Sequence, residues 1–592
     1  MKLKISYLIL FTLILNIFSA NATIRFVSKT GTSTPPYTSW ATAADSIQKC
    51  INICSFGDTI YVANGTYYEA IYVDRTINLI GSSMDSTIID GFGVPENFII
   101  YFSENNSTFN NFNLISPGQN KTGLASWKSN LIAESCKINN VYIPISIGNS
   151  SVKIRNFIVT GFDNNALRDE CPNDTCNSIY SQSIFISKDG LETPVLFSFG
   201  GYPTFTNNIV IGEGNILRGI DIQYQKGTVV KNNLISGFRN INLRAGEIRT
   251  DTAYFENNNI MNSSTGTAIS TSTADRTTIR NNIIKNTLSG VQSSNGSVTP
   301  DYNLFWNVIN KIGGTAILGD SNMVAEPMFV NDTIPTANSE YDFHLQKYSP
   351  AINKGDPSTL DVDSSRSDIG MYGGPGGEYY KYLDLAPRTP RNFNVSFDST
   401  SKILLLNWDM ATESDFRDYK IFRDTIQGFI PNQFNLIAQS DTSLFSDNLS
   451  NVRSASVYYK ITAVDNQDNE RQPGNEIAVT ITGIEQGVEI LRDYILFQNY
   501  PNPFNPGTKI SYEIKNRSYV KLMVYDIKGE LVSVLINKEQ TAGYYEVDFN
   551  ATDQTSNVKG NLASGIYLYR IEVIGNGNIP VYTDMKKMIL LK

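Results

Sequence analysis

Histidine is almost missing from this chain, which holds a single one, His344. A Ser-His-Asp or Cys-His mechanism would have to use that residue as its base. It lies in Tyr341-Asp342-Phe343-His344-Leu345-Gln346, where apolar residues alternate and a packing or capping role fits better. Cysteine is sparse as well. Cys50, Cys54, Cys136, Cys171 and Cys176 are too few for a disulfide scaffold, and their odd number leaves at least one unpaired within the chain. Cys171 and Cys176 flank the turn-rich Pro172-Asn173-Asp174-Thr175 and are the pair expected to bridge, whereas Cys50 and Cys54 stand at a helical spacing that suits packing. Neither pair has the spacing or the histidine partners of a zinc site. Positive charge is also in deficit: 48 Lys and Arg against 57 Asp and Glu give a formal net charge of -9. No overall field draws nucleic acid or anionic lipid to such a chain, and its acidity reads as solubility. Past residue 22 no apolar run approaches the roughly 20 residues of a membrane-spanning helix.

What is present is folded, aromatic and modular. With 41% hydrophobic and 18% charged residues, 32 Tyr and 30 Phe, the composition is that of globular β-rich protein. A length of 592 residues implies roughly three or four units. The fold class expected is all-β.

Residues 1–22 read as a cleavable leader. Lys2 and Lys4 precede the apolar run Tyr7 to Phe18, and Ala20-Asn21-Ala22 forms a small-x-small site, so cleavage is expected between Ala22 and Thr23. At the other end, Leu496-Phe497-Gln498-Asn499-Tyr500-Pro501-Asn502-Pro503-Phe504-Asn505-Pro506 precedes alternating strands such as Lys509 to Ile514 and Val520 to Tyr525. The turn Asp526-Ile527-Lys528-Gly529, the strand Ser564-Gly565-Ile566-Tyr567 and the basic Lys586-Lys587-Met588 follow, a pattern of period two with Gly and Pro punctuation. Residues 494–592 thereby resemble the type A C-terminal sorting domain of the type IX secretion system of Bacteroidota. The resemblance implies the type IX machinery as a partner and a product secreted from, or anchored to, the outer surface of a Gram-negative cell.

Between the ends, Ser39 to Ile51 is apolar at helical intervals with Ser39 as its cap, and Gly57-Asp58-Thr59-Ile60-Tyr61-Val62-Ala63-Asn64-Gly65 reads as strand and turn. This resembles the N-terminal cap of right-handed parallel β-helix proteins of the pectate-lyase-like superfamily, here over residues 23–380. A repeat supports it independently. The pairs Asn207-Asn208, Asn232-Asn233, Asn257-Asn258 and Asn281-Asn282 recur at intervals of 25, 25 and 24 residues, with degenerate copies at Asn110-Asn111 and Arg155-Asn156. Such a period marks a solenoid whose coils bury their apolar faces by stacking. Val230, Leu234, Phe255, Ile260, Ile279 and Ile283 are expected to line one continuous core, and the asparagines to take left-handed bends and bond coil to coil. Phe343 to Gly374 resembles the closing segment of such proteins and is expected to cover the last coil. Residues 386–484, with Leu404, Leu406, Trp408, Tyr419 and the pair Tyr458-Tyr459, resemble a fibronectin type III sandwich. The architecture expected is therefore a right-handed parallel β-helix solenoid followed by two small β-sandwich domains.

The outer face of a β-helix suits an extended polymer, and the resemblance points to an acidic polysaccharide or a cell-surface glycan. Taking Ile220/Ile222, Ile241/Leu243 and Ile269 as equivalent strand positions puts Asp221, Gln223, Asn242 and Arg244 on one outward face, with Arg218 nearby. For β-elimination, Arg218, Asp221 and Arg244 are the catalytic candidates, and Gln223 and Asn242 the substrate-binding ones. Asp169, Glu170 and Asp174, in the loop that runs to Cys176, are the candidate ligands for Ca²⁺, the one cofactor the sequence suggests. The Asn-Thr-Asp, Asp-Asp and Gly-His-Gly elements of polygalacturonases are missing. The reading that results is a non-catalytic glycan-binding or adhesive protein, with a polysaccharide lyase as the alternative.

Overall fold

The structure is a computed structural model that describes residues 22–591 apart from 104, 174, 215, 249–250, 273–276, 399–402, 450–451, 453, 455, 482–487, 490–493, 516, 541–542, 553–561 and 576–579. The leader expected over residues 1–22 therefore lies outside the described residues, except for Ala22. Two compact units are present, Met1–Asp384 and Leu385–Lys592.

The first unit is a parallel β-solenoid. One of its faces is an eleven-stranded ladder that begins Ile24–Val27, Thr59–Val62, Asn78–Gly81 and ends Ala253–Glu256, Thr277–Arg280. Two further faces stack in the same way. In the last coils they fuse into single long strands, Asn259–Thr271, Ile283–Ser293 and Leu304–Gly314, joining both faces into one sheet. Alternation sends every second side chain inward, so Ile60, Leu79, Phe109, Ile154, Tyr180, Phe205, Val230, Phe255 and Ile279 form one continuous core.

A helix of one turn, Ile47–Ile51, covers the N-terminal end with Ile47, Cys50 and Ile51 buried. Its cap is Ser46, not Ser39. Ser46 Oγ accepts from Lys49 N at 3.2 Å, and the Glu69 carboxylate takes Ser46 Oγ, Ile47 N and Gln48 N, supplying the acceptors a helix N-terminus lacks. Ser39 instead accepts from Thr42 N in a turn.

The asparagine pairs divide their work. The second member of each pair points inward, where Asn208, Asn233, Asn258, Asn282, Asn303 and Asn322 form an unbroken ladder. From Asn233 onward each side-chain oxygen accepts from both the backbone and side-chain nitrogens of the asparagine one coil before, at 2.9 to 3.1 Å, and Asn208 Oδ1 accepts from Ser183 N. The first member takes the left-handed bend, with φ of 57°, 58°, 52° and 58° at Asn207, Asn232, Asn257 and Asn281, a conformation asparagine tolerates better than most residues.

Those outer asparagines hold the segment after the solenoid, which does not only cover the last coil as expected. It runs back along the flank over four coils. Asp356 N donates to Asn281 Oδ1, Asn257 Nδ2 donates to the carbonyls of Asp368 and Gly370, Asn232 Nδ2 to those of Met371 and Gly373, and Asn207 Nδ2 to that of Gly376. Leu234 and Ile283 are accordingly not in the solenoid core. They face outward and are buried with Met261 and Leu304 beneath Phe329, Phe343, Leu345 and Met371. His344 belongs to this strap. Its ring stacks on Tyr372 at 3.9 Å, and its two nitrogens hydrogen-bond Asp342 and Glu378.

In the second unit small antiparallel sheets replace the solenoid. A three-stranded and a five-stranded sheet enclose Leu404, Leu406, Trp408, Tyr419 and Tyr459. A second pair of sheets, the larger formed by Leu531–Gln540, Ser518–Asp526, Gly565–Ile574 and Pro580–Leu590, encloses Phe504, Tyr512, Tyr569 and Leu590. Among the described residues no helix is long and apolar enough to cross a membrane.

Candidate functional site

Five of the sequence candidates fall on the strands Arg218–Gln223 and Ile241–Ala245, but the register between them differs from the one read from the sequence. Ile220 pairs with Leu243, and Asp221 with Arg244. A slip of two residues keeps every side chain on its own face, so alternation alone cannot distinguish the two registers. The result is a compact cluster. Asp221 is 1% exposed, and its carboxylate accepts from Arg218 Nη1 at 2.9 Å, Arg244 Nη1 at 3.3 Å and Gln223 Nε2 at 3.2 Å. The two arginine side chains remain about one-third exposed, at 33% and 34%. Asn242 is fully buried, and its amide nitrogen donates to the Met261 carbonyl at 3.2 Å. It is therefore not a surface ligand.

This arrangement presents cations and hides the acid. With its oxygens occupied and no access to solvent, Asp221 is poorly placed to take a proton from a bound molecule. What it does is hold two guanidinium groups side by side, one per coil, facing outward. Such a pair is suited to carboxylate or sulfate groups along a chain laid parallel to the solenoid axis.

Aromatic rings on the same sheet were not anticipated. Phe197 stands opposite both Arg168 and Asp221, and Phe199 stands opposite Glu170 and Gln223 and packs on Tyr224 at 5.2 Å. Toward the N-terminus Tyr72 stacks on Tyr101 at 5.6 Å, and Trp127, 43% exposed, lies flat against Gly148, where any Cβ would collide with its ring. No periodic signal marked them in the sequence: between Tyr101 and Phe197 the equivalent position is held by Ala125, Ser146 and Arg168, and Trp127 and Phe199 stand two residues further along their strands.

Of the candidate calcium ligands, Asp169 and Glu170 point to opposite faces of one strand. Leu167–Glu170 is a strand of the solenoid, so Asp169 points into the core and Glu170 outward, where it pairs with Arg168. Asp174 lies outside the described residues. Asp169 accepts from the Tyr180 hydroxyl at 2.8 Å, its other oxygen is buried without a partner, and burial pushes its carboxyl up to about 7. Cys171 and Cys176 form a disulfide just beyond this strand, and Cys50, Cys54 and Cys136 are buried free thiols. Among the described residues no three His, Cys, Asp or Glu side chains gather where they could hold a metal ion.

In the C-terminal sheets, the Asn-Pro-rich motif closes the edge of the strand Pro580–Leu590. Asn502 Oδ1 accepts from Ile589 N at 2.8 Å, Gln498 Nε2 donates to the Lys587 carbonyl at 2.7 Å, and Phe504 N donates to the Ile589 carbonyl at 2.9 Å. Tyr569 secures the start of the motif, with its hydroxyl donating to the Phe497 carbonyl and accepting from Asn499 N. Residues 498–579 match the family described as the secretion system C-terminal sorting domain. The chain carries a C-terminal sorting domain of the type IX secretion system. The sorting domain marks it for export to the outer surface of a Bacteroidota cell.

No curated protein matches the chain. Among solved structures, dimeric latent PorU from Porphyromonas gingivalis is 14% identical with a TM-score of 0.19, covering 35% of this chain and 20% of its own. Pectin methylesterase PemA from Erwinia chrysanthemi is 11% identical with a TM-score of 0.23, covering 52% of this chain and 94% of its own. A rhamnogalacturonan lyase is 12% identical with a TM-score of 0.30, covering 52% and 91%. The chain thus spans about one-fifth of the length of PorU and nearly all of the two pectin-active proteins.

Proposed function

We propose that the exported chain is a non-catalytic glycan-binding or adhesive protein whose contact surface is the solenoid face around Arg218 and Arg244. The observation that carries this reading is the buried Asp221, which orients two exposed guanidinium groups while being closed off as a base. Aromatic rings at Phe197, Phe199, Tyr224 and Trp127 add flat apolar surfaces of the kind that pack against sugar rings, and the two guanidinium groups favour acidic groups on the polysaccharide. Residues 386–484 serve in this reading as a fibronectin-like spacer between the solenoid of residues 23–380 and the sorting domain of residues 494–592. Residues 1–22 serve as the leader.

The test is retention of the full-length mature chain on immobilised polygalacturonate, alginate and glycosaminoglycan, with ultraviolet absorbance followed for unsaturated products. Binding to at least one polymer without product is expected, weakened by salt and by about tenfold or more in Arg218→Ala/Arg244→Ala, a loss of about 1.4 kcal/mol. Accumulation of unsaturated product would move the assignment to a lyase. Absence of binding to the whole panel would remove the glycan reading.

A further inference from the structure

Thr23 enters the first strand of the solenoid beside a carboxylate with an unusual set of partners. Its backbone nitrogen donates to Asp58 Oδ1 at 2.7 Å. The other carboxylate oxygen accepts from Arg25 Nε at 2.9 Å and from Ser55 N at 2.9 Å. Asp58 is fully buried, at 0% exposure, whereas Ala22, one residue upstream of Thr23, is exposed. Thr59 N donates to the Thr23 carbonyl at 3.0 Å, so Thr23 is pinned on both sides of its α-carbon.

We propose that Asp58 is a receptor for the α-ammonium group created when the leader is removed between Ala22 and Thr23. This rests on the leader reading given above. In the cleavage, a leader-removing peptidase of the exporting cell adds water across the amide. The bond from the Ala22 carbonyl carbon to the Thr23 nitrogen breaks, Ala22 departs as a carboxylate, and the Thr23 nitrogen takes up protons to become a cation. The atom that gains charge is the one already seated against Asp58. A hydrogen bond from a neutral amide to the carboxylate becomes an ion pair between an ammonium and a carboxylate, with the nitrogen already in place.

The other groups around Asp58 do not cancel this. Arg25, on the same strand, is committed to Oδ2, and Cys50 and Cys54, on the covering helix and the loop after it, are buried thiols. The carboxylate oxygen at 2.7 Å is the nearest charge to the new ammonium. Processing therefore strengthens a fastening of the first coil that, in a chain that keeps its leader, is made by an uncharged amide.

The test starts from the exported full chain. Its first residue is read by N-terminal sequencing, its α-amine is methylated with ¹³C-labelled reagent, and the methyl resonance is titrated by NMR. Thr23 is expected as the first residue. Its amine should titrate at least one unit above the roughly 7.7 to 8.0 of an ordinary α-amine, a tenfold or greater shift in its proton equilibrium. Asp58→Asn should return it to the ordinary range. If that variant fails to fold, a chain beginning at Ala22 moves the ammonium one residue from its receptor and should titrate normally. A Thr23 amine that titrates in the ordinary range overturns the proposal while leaving the leader reading intact. A first residue other than Thr23 overturns the leader reading and the proposal with it.

Discussion

Asp169 shows how much a single position depends on which way its strand turns. In the sequence it stands between Arg168 and Glu170 and looks like part of a charged loop. In the fold Leu167 and Asp169 share the inward face. Burial holds its carboxyl at about 7, with the Tyr180 hydroxyl as its partner. At low pH the proton stays on in both the folded and unfolded chain, and the group costs nothing. As pH rises from the unfolded value near 3.9 to about 7, the unfolded chain sheds the proton before the folded chain can. Stability falls across that window, by about 4 kcal/mol at its upper end. Asp169→Asn is expected to raise the melting temperature at pH 8 and to leave it nearly unchanged at pH 4, as read by circular dichroism at both values. Gly148 makes a steric case on the outer face. Gly148→Ala should displace the Trp127 ring and be seen as a shift in tryptophan emission, with weaker retention on the polymer bound by the parent chain. Position-level chemistry of this kind was only partly legible. The Arg218, Asp221 and Arg244 group could be found from alternation, but its internal pairing could not, because two registers differing by two residues look alike in sequence.

At the level of elements the repeat was the clearest signal, because a constant interval between asparagine pairs has few explanations other than stacked coils. What a pair cannot announce is which member turns inward. Asn258 donates to Val230 and Glu256 carbonyls and to Asn282, and accepts twice from Asn233, all in the dry interior. Asn258→Ala is expected to cost about 3 kcal/mol, since buried partners are left unsatisfied. Asn207→Gly, which loses one bond to the strap near the surface and keeps the left-handed bend, should cost less than about 1 kcal/mol. Calorimetry of the solenoid transition separates the two. The strap itself was recognised as a closing segment but not in its full extent, because the sequence displays its glycines and asparagines without showing that the outer asparagine row offers amide donors to its carbonyls.

Across the whole molecule, the features read most easily were those that do not depend on packing: an acidic balance and an Asn-Pro-rich motif ahead of alternating strands. The proposed contact surface was harder to read because it is assembled from coils roughly 25 residues apart, as solenoid repeats of ~20–50 residues require. In the sorting domain the motif that opens it and the strand Pro580–Leu590 are joined through Asn502, Gln498 and Phe504. Removing residues 586–592 should block export as fully as removing residues 494–592, with the protein retained inside the outer membrane in cell fractionation. The pairing also orders events in time. The motif emerges from the ribosome long before its partner strand, so the address cannot be assembled until translation has passed that strand, and a prematurely terminated product carries no readable passport.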